Sequence, residues 1–201
     1  MEIVWQSFNE VLKPYGIHFG EKDIRKYLGY SLRDQLRVWK QKYGIELDFA
    51  EFANKSGRIQ YKLIKEQVRV ESGLTRLLDD LKRNRAPIEI ATNWTRESTE
   101  KILDILKIHD YFLNIVTAYE VPRHKPYPDI YRTASKKIDM KPASCIVFED
   151  SADGVRAAKA AGMKCIGKLH KYNSARGLHE ADLLISSFSE VNYDKLAEMA
   201  K

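Results

Sequence analysis

Five polar residues that suit phosphate and metal chemistry follow three short apolar segments of the sequence. The apolar segments cover residues 88–91, 114–117 and 145–148. The polar residues that come after them are Thr92, Asn93, Lys125, Glu149 and Asp150. A threonine hydroxyl and the backbone N–H groups at the start of a helix bind phosphoryl oxygens. A lysine stabilises the charge of a transferring phosphoryl group, and adjacent carboxylates bind Mg²⁺.

Each of these residues also has an ordinary structural explanation. Thr92 could cap a helix, and Lys125 could be a surface charge. Glu149 and Asp150 could form a turn in which Asp150 or Ser151 caps the next helix. The Thr92 hydroxyl, the Lys125 cation and the carboxylate pair nevertheless occur in this order after three successive apolar segments. This order favours one shared site for a phosphate and a hard metal ion.

The elements that must hold these residues alternate between short apolar strands and helices. Strands are predicted at residues 87–91, 114–117, 144–148, 164–167 and 182–185, with helical patterns between them. Strands that alternate with helices form a parallel sheet covered on both faces. Because ligands bind at the carboxyl ends of the strands in such a sheet, the polar residues are expected to meet at one edge.

The sequence before residue 72 shows helical patterns only. Amphipathic segments predict helices over residues 2–13, 21–28, 31–43 and 48–68, with Ser31 and Asp48 as N-caps. The predicted fold is therefore α/β. An N-terminal all-helical domain at residues 1–71 precedes a doubly wound parallel (Rossmann-like) domain at residues 72–201.

The composition is that of a globular protein and argues against several other classes. The 201 residues are 44% hydrophobic and 31% charged, and no apolar run reaches the roughly 18 residues of a membrane span. No secretory signal precedes the first helix, so a cytoplasmic location and no membrane partner are expected.

The net charge of +6 is a weak sign of nucleic-acid binding, because basic residues alternate with acidic ones and the cluster at 82–85 resembles an exposed helix end. Cys145 and Cys165 are expected to be buried small apolar residues.

Four segments of the sequence resemble the haloacid dehalogenase-like (HAD) hydrolase superfamily. They are Thr92-Asn93, residues 124–131 (HKPYPDIY), residues 148–154 (FEDSADG) and residues 157–163 (AAKAAGM). The Glu-Asp-Ser form and the Ala-Ala-Gly-Met helix end are most similar to the β-phosphoglucomutase-like branch, which includes sugar-phosphate phosphatases. The resemblance covers about residues 73–170. The helical region is similar to the family's cap domain more loosely, through Leu28-Gly29-Tyr30-Ser31 and Gly73-Leu74.

The resemblance implies a role for each of the five polar residues. Thr92 and Asn93 would bind the phosphoryl group. Lys125 would be a catalytic residue that stabilises the transferred phosphoryl group and orients the nucleophile. Glu149 and Asp150 would bind Mg²⁺ as the cofactor.

Three further positions matter for the comparison with the family pattern. Arg33, in the cap, is a candidate contact for the distal part of the substrate. His124 stands before the lysine where the family usually has glycine. We interpret it as a surface histidine, with contact to a substrate as the alternative. Ser72 stands at the return from the cap where proline is usual.

The sequence contains no Asp-x-Asp signature, which in the family follows the first strand. There the first Asp is the nucleophile and a Mg²⁺ ligand, and the second is the general acid/base. That strand lies in the middle of the family's sheet. Its absence would leave a slot with unpaired backbone groups between the strands at 88–91 and 145–148. Three interpretations stay open: a chain shortened at its N-terminus, a slot filled by rearrangement or by another chain, and a degenerate non-catalytic member.

The expected function is that of a Mg²⁺-dependent phosphatase or phosphomutase acting on a small phosphorylated metabolite such as a sugar phosphate. These 201 residues are expected to be inactive as they stand, because the nucleophile Asp is missing. The alternative is a non-catalytic phosphate-binding or regulatory protein on the same scaffold. Nucleic-acid binding would rest on the charge of +6 alone. A monomer or a strand-exchanged homodimer is expected.

Overall fold

The computed structural model describes residues 2–27 and 32–201. It divides the chain into two compact units, Met1–Val68 and Arg69–Lys201. This division lies three residues before the predicted boundary between residues 71 and 72. The predicted N-cap Ser31 and the cap segment Leu28-Gly29-Tyr30 lie outside the described residues.

The described residues of the first unit form α-helices joined by short loops. The helices are α1 (Glu2–Leu12), α2 (Glu21–Lys26), α3 (Leu32–Tyr43) and α4 (Phe49–Gln67). Asp48 caps α4 as predicted, because its side chain accepts a hydrogen bond from the Glu51 N–H at 2.8 Å. Gly16 ends the 3₁₀ turn after α1 at a φ of 69°, a left-handed conformation that glycine adopts without strain.

Aromatic side chains make up the core of the first unit. Trp39 is fully buried, and its ring centroid lies 4.8 Å from that of Phe19. The centroids of Phe8 and Phe52 each lie 5.9 Å from that of Trp39. Rings at these distances bury a large apolar area and add edge-to-face attraction. The fold of the first unit therefore depends on one aromatic cluster.

The second unit alternates strands and helices. Its strands are β1 (Glu89–Thr92), β2 (Asn114–Thr117), β3 (Ile146–Glu149), β4 (Lys164–Lys168) and β5 (Leu183–Ile185). Its helices are α5 (Leu74–Arg83), α6 (Arg96–Leu106), α7 (Asp129–Lys137), α8 (Ala152–Ala160) and α9 (Tyr193–Met199). Each predicted strand is present, with bounds that differ from the prediction by at most two residues.

Every strand pair in the described residues is parallel, which confirms the predicted α/β class. β1 pairs with β2, and β4 pairs with β3 on one side and β5 on the other. The strands thus form a two-stranded group and a three-stranded group, and no described strand bridges β1 and β3. Helices cover both faces, as a parallel sheet requires.

The two cysteines differ in burial, and the basic cluster lies at the surface. Cys165 is fully buried, and burial raises the pKa of its thiol to about 12. Cys145 is only half-buried, and both thiols are free of disulfides. The basic residues 82–85 are exposed at the end of α5 as expected. Within the described part of the chain, no helix combines the length and the apolar character that crossing a membrane requires.

Candidate active site

A buried ion pair joins the carboxyl-terminal ends of β1 and β3. The Lys125 Nζ lies 2.5 Å from Glu149 Oε1, and the two side chains are only 9% and 7% exposed. The same ammonium group donates to the backbone oxygen of Ala91, in β1, at 3.3 Å. Parallel strands present their carboxyl ends at one edge, so a lysine from the loop after β2 can reach both strands. The structure therefore brings two of the predicted site residues into direct contact.

The Glu149 carboxylate accepts hydrogen bonds from several other donors. Tyr131 donates its hydroxyl to Oε1. Ser151 Oγ donates to Oε2 at 2.9 Å, and the backbone N–H groups of Asp150 and Ser151 lie 3.2 and 3.3 Å from the same oxygen. Burial alone raises the pKa of Glu149. The charge of Lys125 and the hydrogen bonds from Lys125, Tyr131 and Ser151 outweigh burial, so the pKa is lowered.

The spacing from Glu149 to Gly154 has a steric cause. Ser151 caps α8 by accepting a hydrogen bond from the Gly154 N–H at 3.1 Å. This geometry brings the Gly154 backbone against the Glu149 carboxylate, and a Cβ at residue 154 would lie 1.9 Å from the carboxyl carbon. Only glycine allows the helix to begin this close to the buried carboxylate.

The loop that carries Lys125 is fixed at both sides of the lysine. Before it, Arg123 forms an ion pair with Asp129 at 2.9 Å, and Asp129 begins α7. After it, the Lys125–Pro126 peptide bond is cis. His124 is exposed, which agrees with its interpretation as a surface histidine. The Lys125 ammonium also lies 4.8 Å from the centre of the Tyr131 ring, a favourable cation–π distance.

Thr92 stands at the carboxyl end of β1, at the edge where Lys125 and Glu149 meet. Its Oγ1 accepts a hydrogen bond from the Trp94 N–H at 3.1 Å. Thr95, and not Thr92, caps α6 by accepting from the Ser98 N–H. The helix-cap explanation for Thr92 is therefore wrong. For the Glu-Asp-Ser turn, the structural explanation is confirmed in part, because Ser151 caps the helix that follows. Asn93, next to Thr92, is exposed.

Asp150 is the more accessible of the two predicted metal ligands. Its side chain is 62% exposed, and its Oδ2 lies 3.4 Å from His170 Nε2. Across residues 2–27 and 32–201, no three His, Cys, Asp or Glu side chains group closely enough to hold a metal ion. Mg²⁺ can bind through one or two carboxylates while waters and substrate phosphate complete its octahedron. Asp150 fits such a water-rich site, whereas the Glu149 oxygens already accept bonds from protein donors.

Residues with no predicted role also hold the site together. Tyr131 lies in the segment 124–131 that resembles the family, and its hydroxyl donates a hydrogen bond to Glu149, a contact that the sequence does not predict. Asn173 donates to the backbone oxygens of Asp150 and Lys168 at 2.9 and 2.8 Å and accepts from the His170 N–H at 2.8 Å. It therefore ties the loop after β4 to the end of β3. A single asparagine in a loop carries no sequence signal for this role.

Arg33 belongs to the first unit. Its guanidinium lies over the Phe49 ring at 4.0 Å, an ordinary cation–π contact. A role for Arg33 in substrate binding stays a prediction.

Comparison with known proteins identifies the family of the chain and several relatives. The family model for haloacid dehalogenase-like hydrolases matches residues 1–168. The validoxylamine A 7′-phosphate phosphatase of Streptomyces hygroscopicus subsp. limoneus is 36% identical over 121 residues, which are 60% of this chain and 56% of that protein. The phosphorylated carbohydrates phosphatase of Thermotoga maritima is 27% identical over 180 residues, or 89% and 83% of the two chains. The β-phosphoglucomutase of Bacillus subtilis is 34% identical over 126 residues, or 63% and 53%.

A solved structure supports the fold. CbbY from Rhodobacter sphaeroides, in complex with phosphate, aligns with a TM-score of 0.83 at 24% identity. The alignment covers 97% of this chain and 92% of that one. At this level of identity the likeness establishes the α/β fold alone. The family assignment comes from the match over residues 1–168. The chain therefore belongs to the haloacid dehalogenase-like hydrolase family.

Proposed function

We propose that this chain is a Mg²⁺-dependent phosphoryl-transfer scaffold, a phosphatase or phosphomutase, that binds a small phosphorylated sugar. The observation that carries the proposal is the buried ion pair between Lys125 and Glu149, with the Thr92 turn at the same edge. A buried cation held by one carboxylate near a strand end is well placed to attract an anionic group. The names of the Thermotoga and Streptomyces relatives, which describe phosphatases of phosphorylated carbohydrates and of a 7′-phosphate, support a sugar phosphate as the ligand.

In this proposal, each site residue contributes one interaction. The Thr92 hydroxyl and the Asn93 side chain hold phosphoryl oxygens at the end of β1. Lys125 places a positive charge near the phosphoryl group, where negative charge spreads during transfer. Asp150, with Glu149 behind it, would hold Mg²⁺, which neutralises phosphate charge when it is bound. Glu149 orients the Lys125 ammonium group through the 2.5 Å contact.

We further propose that residues 1–201 bind the ligand but do not turn it over unaided. The sequence contains no Asp-x-Asp signature, so it lacks the family's pattern for a nucleophile and a general acid/base. A non-catalytic phosphate-binding or regulatory protein is the second candidate, which the same observation favours. The two candidates differ in their response to a nucleophile supplied by another polypeptide. The phosphoryl-transfer scaffold would then turn the ligand over, and the non-catalytic protein would not.

Titration calorimetry with inorganic phosphate and glucose 6-phosphate, with and without Mg²⁺, tests the binding site. Lys125→Met is expected to weaken phosphate binding at least tenfold, and Lys136→Met, at an exposed position on α7, is expected to leave it unchanged. Because Lys125→Met also leaves the buried Glu149 carboxylate without its counter-charge, Thr92→Val serves as a milder second variant. Unchanged affinity in both site variants would contradict the proposed site.

Hydrolysis of p-nitrophenyl phosphate tests the catalytic part. The unmodified chain is expected to show no Mg²⁺-dependent release of nitrophenol above the level of the Lys125→Met variant. Release that depends on both Mg²⁺ and Lys125 would show that residues 1–201 contain their own nucleophile, and the proposal of no unaided turnover would then be wrong.

A further inference from the structure

Asp150 carries an exposed carboxylate on a backbone that is held on both sides. Its N–H donates to Glu149 Oε2 at 3.2 Å. Its backbone oxygen accepts from Asn173 Nδ2 at 2.9 Å. The two peptide groups that flank Asp150 are therefore fixed, although its side chain is 62% exposed. A backbone held in this way gives the carboxylate a defined starting position.

The Asn173 side chain makes three hydrogen bonds that join the ends of two strands. Its Nδ2 group donates to the backbone oxygens of Asp150, directly after β3, and of Lys168, the last residue of β4, at 2.9 and 2.8 Å. Its Oδ1 accepts from the His170 N–H at 2.8 Å. Aspartate has the same shape but no donor for the two carbonyl oxygens, so the amide group is required here.

The loop that follows β4 is closed into a turn and anchored at its start. The Asn173 N–H donates to the His170 oxygen at 3.2 Å, and the Leu169 N–H donates to the oxygen of Ile185, in β5, at 2.7 Å. Asparagine side chains stabilise such turns through bonds to nearby backbone groups. The turn is thus tied to β5 on one side and, through Asn173, to the end of β3 on the other.

The His170 ring faces Asp150 with a defined nitrogen. Its Nδ1 accepts from the Tyr172 N–H at 3.0 Å, so in the neutral ring that nitrogen has the lone pair and Nε2 has the proton. Nε2 lies 3.4 Å from Asp150 Oδ2. A protonated ring nitrogen cannot bind a metal ion, but it attracts and orients a carboxylate. His170 is therefore suited to hold Asp150 and not to join it as a ligand.

We propose that Asn173 and His170 are positioning residues for Asp150 as a ligand of Mg²⁺. Asn173 fixes the backbone of Asp150, and His170 attracts its Oδ2, which leaves Oδ1 for the metal ion. This inference rests on the proposed function, because it takes Asp150 to be a metal ligand. It goes beyond that function by giving the turn after β4 a part in setting the metal affinity.

Positioning matters more at Asp150 than at Glu149. The Glu149 oxygens accept from Lys125 and Ser151 and are already held inside the protein. Asp150 is the more open of the two carboxylates, so its orientation depends on the groups behind it. Mg²⁺ demands near-octahedral geometry and loses water reluctantly. A ligand that is already oriented therefore binds it with a smaller loss of side-chain freedom.

The test measures binding of Mn²⁺ alone to the full 201-residue chain. Carboxylate and water ligands suit Mn²⁺ as they suit Mg²⁺, and the paramagnetic ion reports its own binding through the relaxation of water protons. Competition with Mg²⁺ then gives the affinity for Mg²⁺. Broadening of the amide signals of Asp150 and Ser151 in NMR spectra locates the bound ion.

We expect Asn173→Ala to weaken Mn²⁺ binding at least tenfold, because loss of a group that holds a metal ligand costs about 10–100-fold in affinity. The matched control is His179→Ala. His179 is exposed in the same connection between β4 and β5, and its Nδ1 lies 2.9 Å from the Arg176 oxygen. This variant is expected to bind Mn²⁺ as the unmodified chain does. Melting temperatures show whether each variant is folded at the temperature of the titration.

Two variants of His170 test the second contact and carry the test if Asn173→Ala does not fold. His170→Leu is expected to weaken binding by a smaller factor, since the contact to Oδ2 is long at 3.4 Å. His170→Gln keeps an N–H donor near the end of the side chain and is expected to recover most of the affinity. The ¹⁵N signals of the His170 ring should show the proton on Nε2, with and without Mg²⁺.

Three results would overturn the proposal while the metal site itself stands. The first is unchanged Mn²⁺ affinity in folded Asn173→Ala. The second is tighter binding in His170→Leu, which would make His170 a competitor of the metal ion for Asp150. The third is a ring proton on Nδ1 with Nε2 bound to the ion. A different result, in which Mn²⁺ broadens no signal near Asp150 in the unmodified chain, would contradict the proposed function and this inference with it.

Discussion

Glu149 is the residue on which the candidate site depends most. Its carboxylate accepts from the Lys125 ammonium group, the Tyr131 hydroxyl and the Ser151 hydroxyl, and these donors come from different elements of the second unit. A carboxylate that is 7% exposed is stable only when donors replace the water it has lost. The ion pair is therefore as much a part of the fold as of the site.

Exchange of one oxygen of Glu149 for nitrogen tests this dependence. We expect Glu149→Gln to lower the free energy of unfolding by about 3–5 kcal/mol, because it leaves the buried Lys125 ammonium group without its counter-charge. The neighbouring change Asp150→Asn, at a side chain that is 62% exposed, is expected to cost no more than about 0.5 kcal/mol. Urea unfolding followed by circular dichroism measures both. Equal effects of the two variants would show that burial of the ion pair contributes little.

A second prediction concerns Gly154 and uses another helical glycine as its control. A Cβ at residue 154 would lie about 2 Å from the atoms of the Glu149 carboxyl group, whereas a Cβ at Gly57 in α4 would meet no atom within 4 Å. Alanine is favoured over glycine inside a helix by about 1 kcal/mol, so Gly57→Ala is expected to stabilise the chain. Gly154→Ala is expected to destabilise it by about 1–3 kcal/mol because the carboxylate must move. Thermal unfolding of the two variants should shift in opposite directions.

The sequence identified the types of the site residues better than their contacts. Lys125 and Glu149 could be predicted because they follow apolar segments whose carboxyl ends meet at one edge. Tyr131 and Asn173 could not be assigned a role, since their function comes from the direction of a side chain in the folded structure. Residue type and order are visible in a sequence, whereas hydrogen-bond partners far apart in the chain are not.

At the scale of elements, Glu120 connects three parts of the second unit. Its carboxylate accepts from the Thr117 N–H at the end of β2 at 3.0 Å. It also pairs with Arg96 of α6 and with Lys137 of α7, each at 2.9 Å. The Lys137 hydrogen bond lowers the pKa of Glu120 to about 2, with the Thr117 hydrogen bonds also lowering it and burial opposing them. A lowered carboxyl pKa means that folding favours the ionised form.

This shift predicts a pH dependence with a definite sign. The contribution of Glu120 to stability is fully present above the ordinary glutamate pKa of about 4.3 and is lost as the pH falls toward the folded-state pKa of about 2. Glu120→Gln is expected to cost about 1–2 kcal/mol at pH 7, after allowance for solvent screening. The difference between variant and wild type should shrink as unfolding is measured from pH 5 down to pH 2.

Glu100→Gln is the matched control, because the Glu100 carboxylate lies 3.9 Å from the same Arg96 at the helix surface. Exposed pairs of this kind contribute about 0–1 kcal/mol. If Glu120→Gln cost the same at every pH, the assigned ionic role would be contradicted.

The order of strands and helices could be predicted because hydrophobic periodicity is a local property. The 3₁₀ turns Ala118–Glu120 and Phe188–Glu190 could not. In each turn a glutamate side chain accepts from the backbone N–H groups before it, as Glu190 does from Ser186 and Ser187. Such turns depend on particular hydrogen bonds and leave no periodic pattern.

At the scale of the whole molecule, the chain contains two units with separate buried clusters. The aromatic cluster around Trp39 comes from residues of the first unit, and the clusters of the second unit come from its strands and helices. The change from purely helical to alternating patterns predicted a division of the chain near residue 72. A cavity of about 720 Å³ lies between β1 and β3 and is lined by both strands and by helices of the second unit. Its size could not be derived from the sequence, because it depends on how those helices pack against the strands.

The tryptophans make it possible to test whether each unit unfolds by itself. Trp39 is fully buried in the first unit, whereas Trp94 is 46% exposed in the second. Trp94→Ala is therefore expected to change stability by less than about 0.5 kcal/mol. In that background, tryptophan fluorescence comes from Trp5 and Trp39 alone and reports only on the first unit.

In the same background, Trp39→Ala removes the centre of the aromatic cluster and is expected to destabilise the first unit by about 3–5 kcal/mol. Fluorescence of the remaining Trp5 should then show unfolding at a lower urea concentration. Hydrogen exchange at the fully buried Ile166 of β4 should keep its protection at that concentration, because its neighbours all belong to the second unit. Loss of protection at Ile166 together with the fluorescence change would mean that the two units unfold as one cooperative body, and the stability of the phosphate site would then depend on the aromatic core of the helical unit.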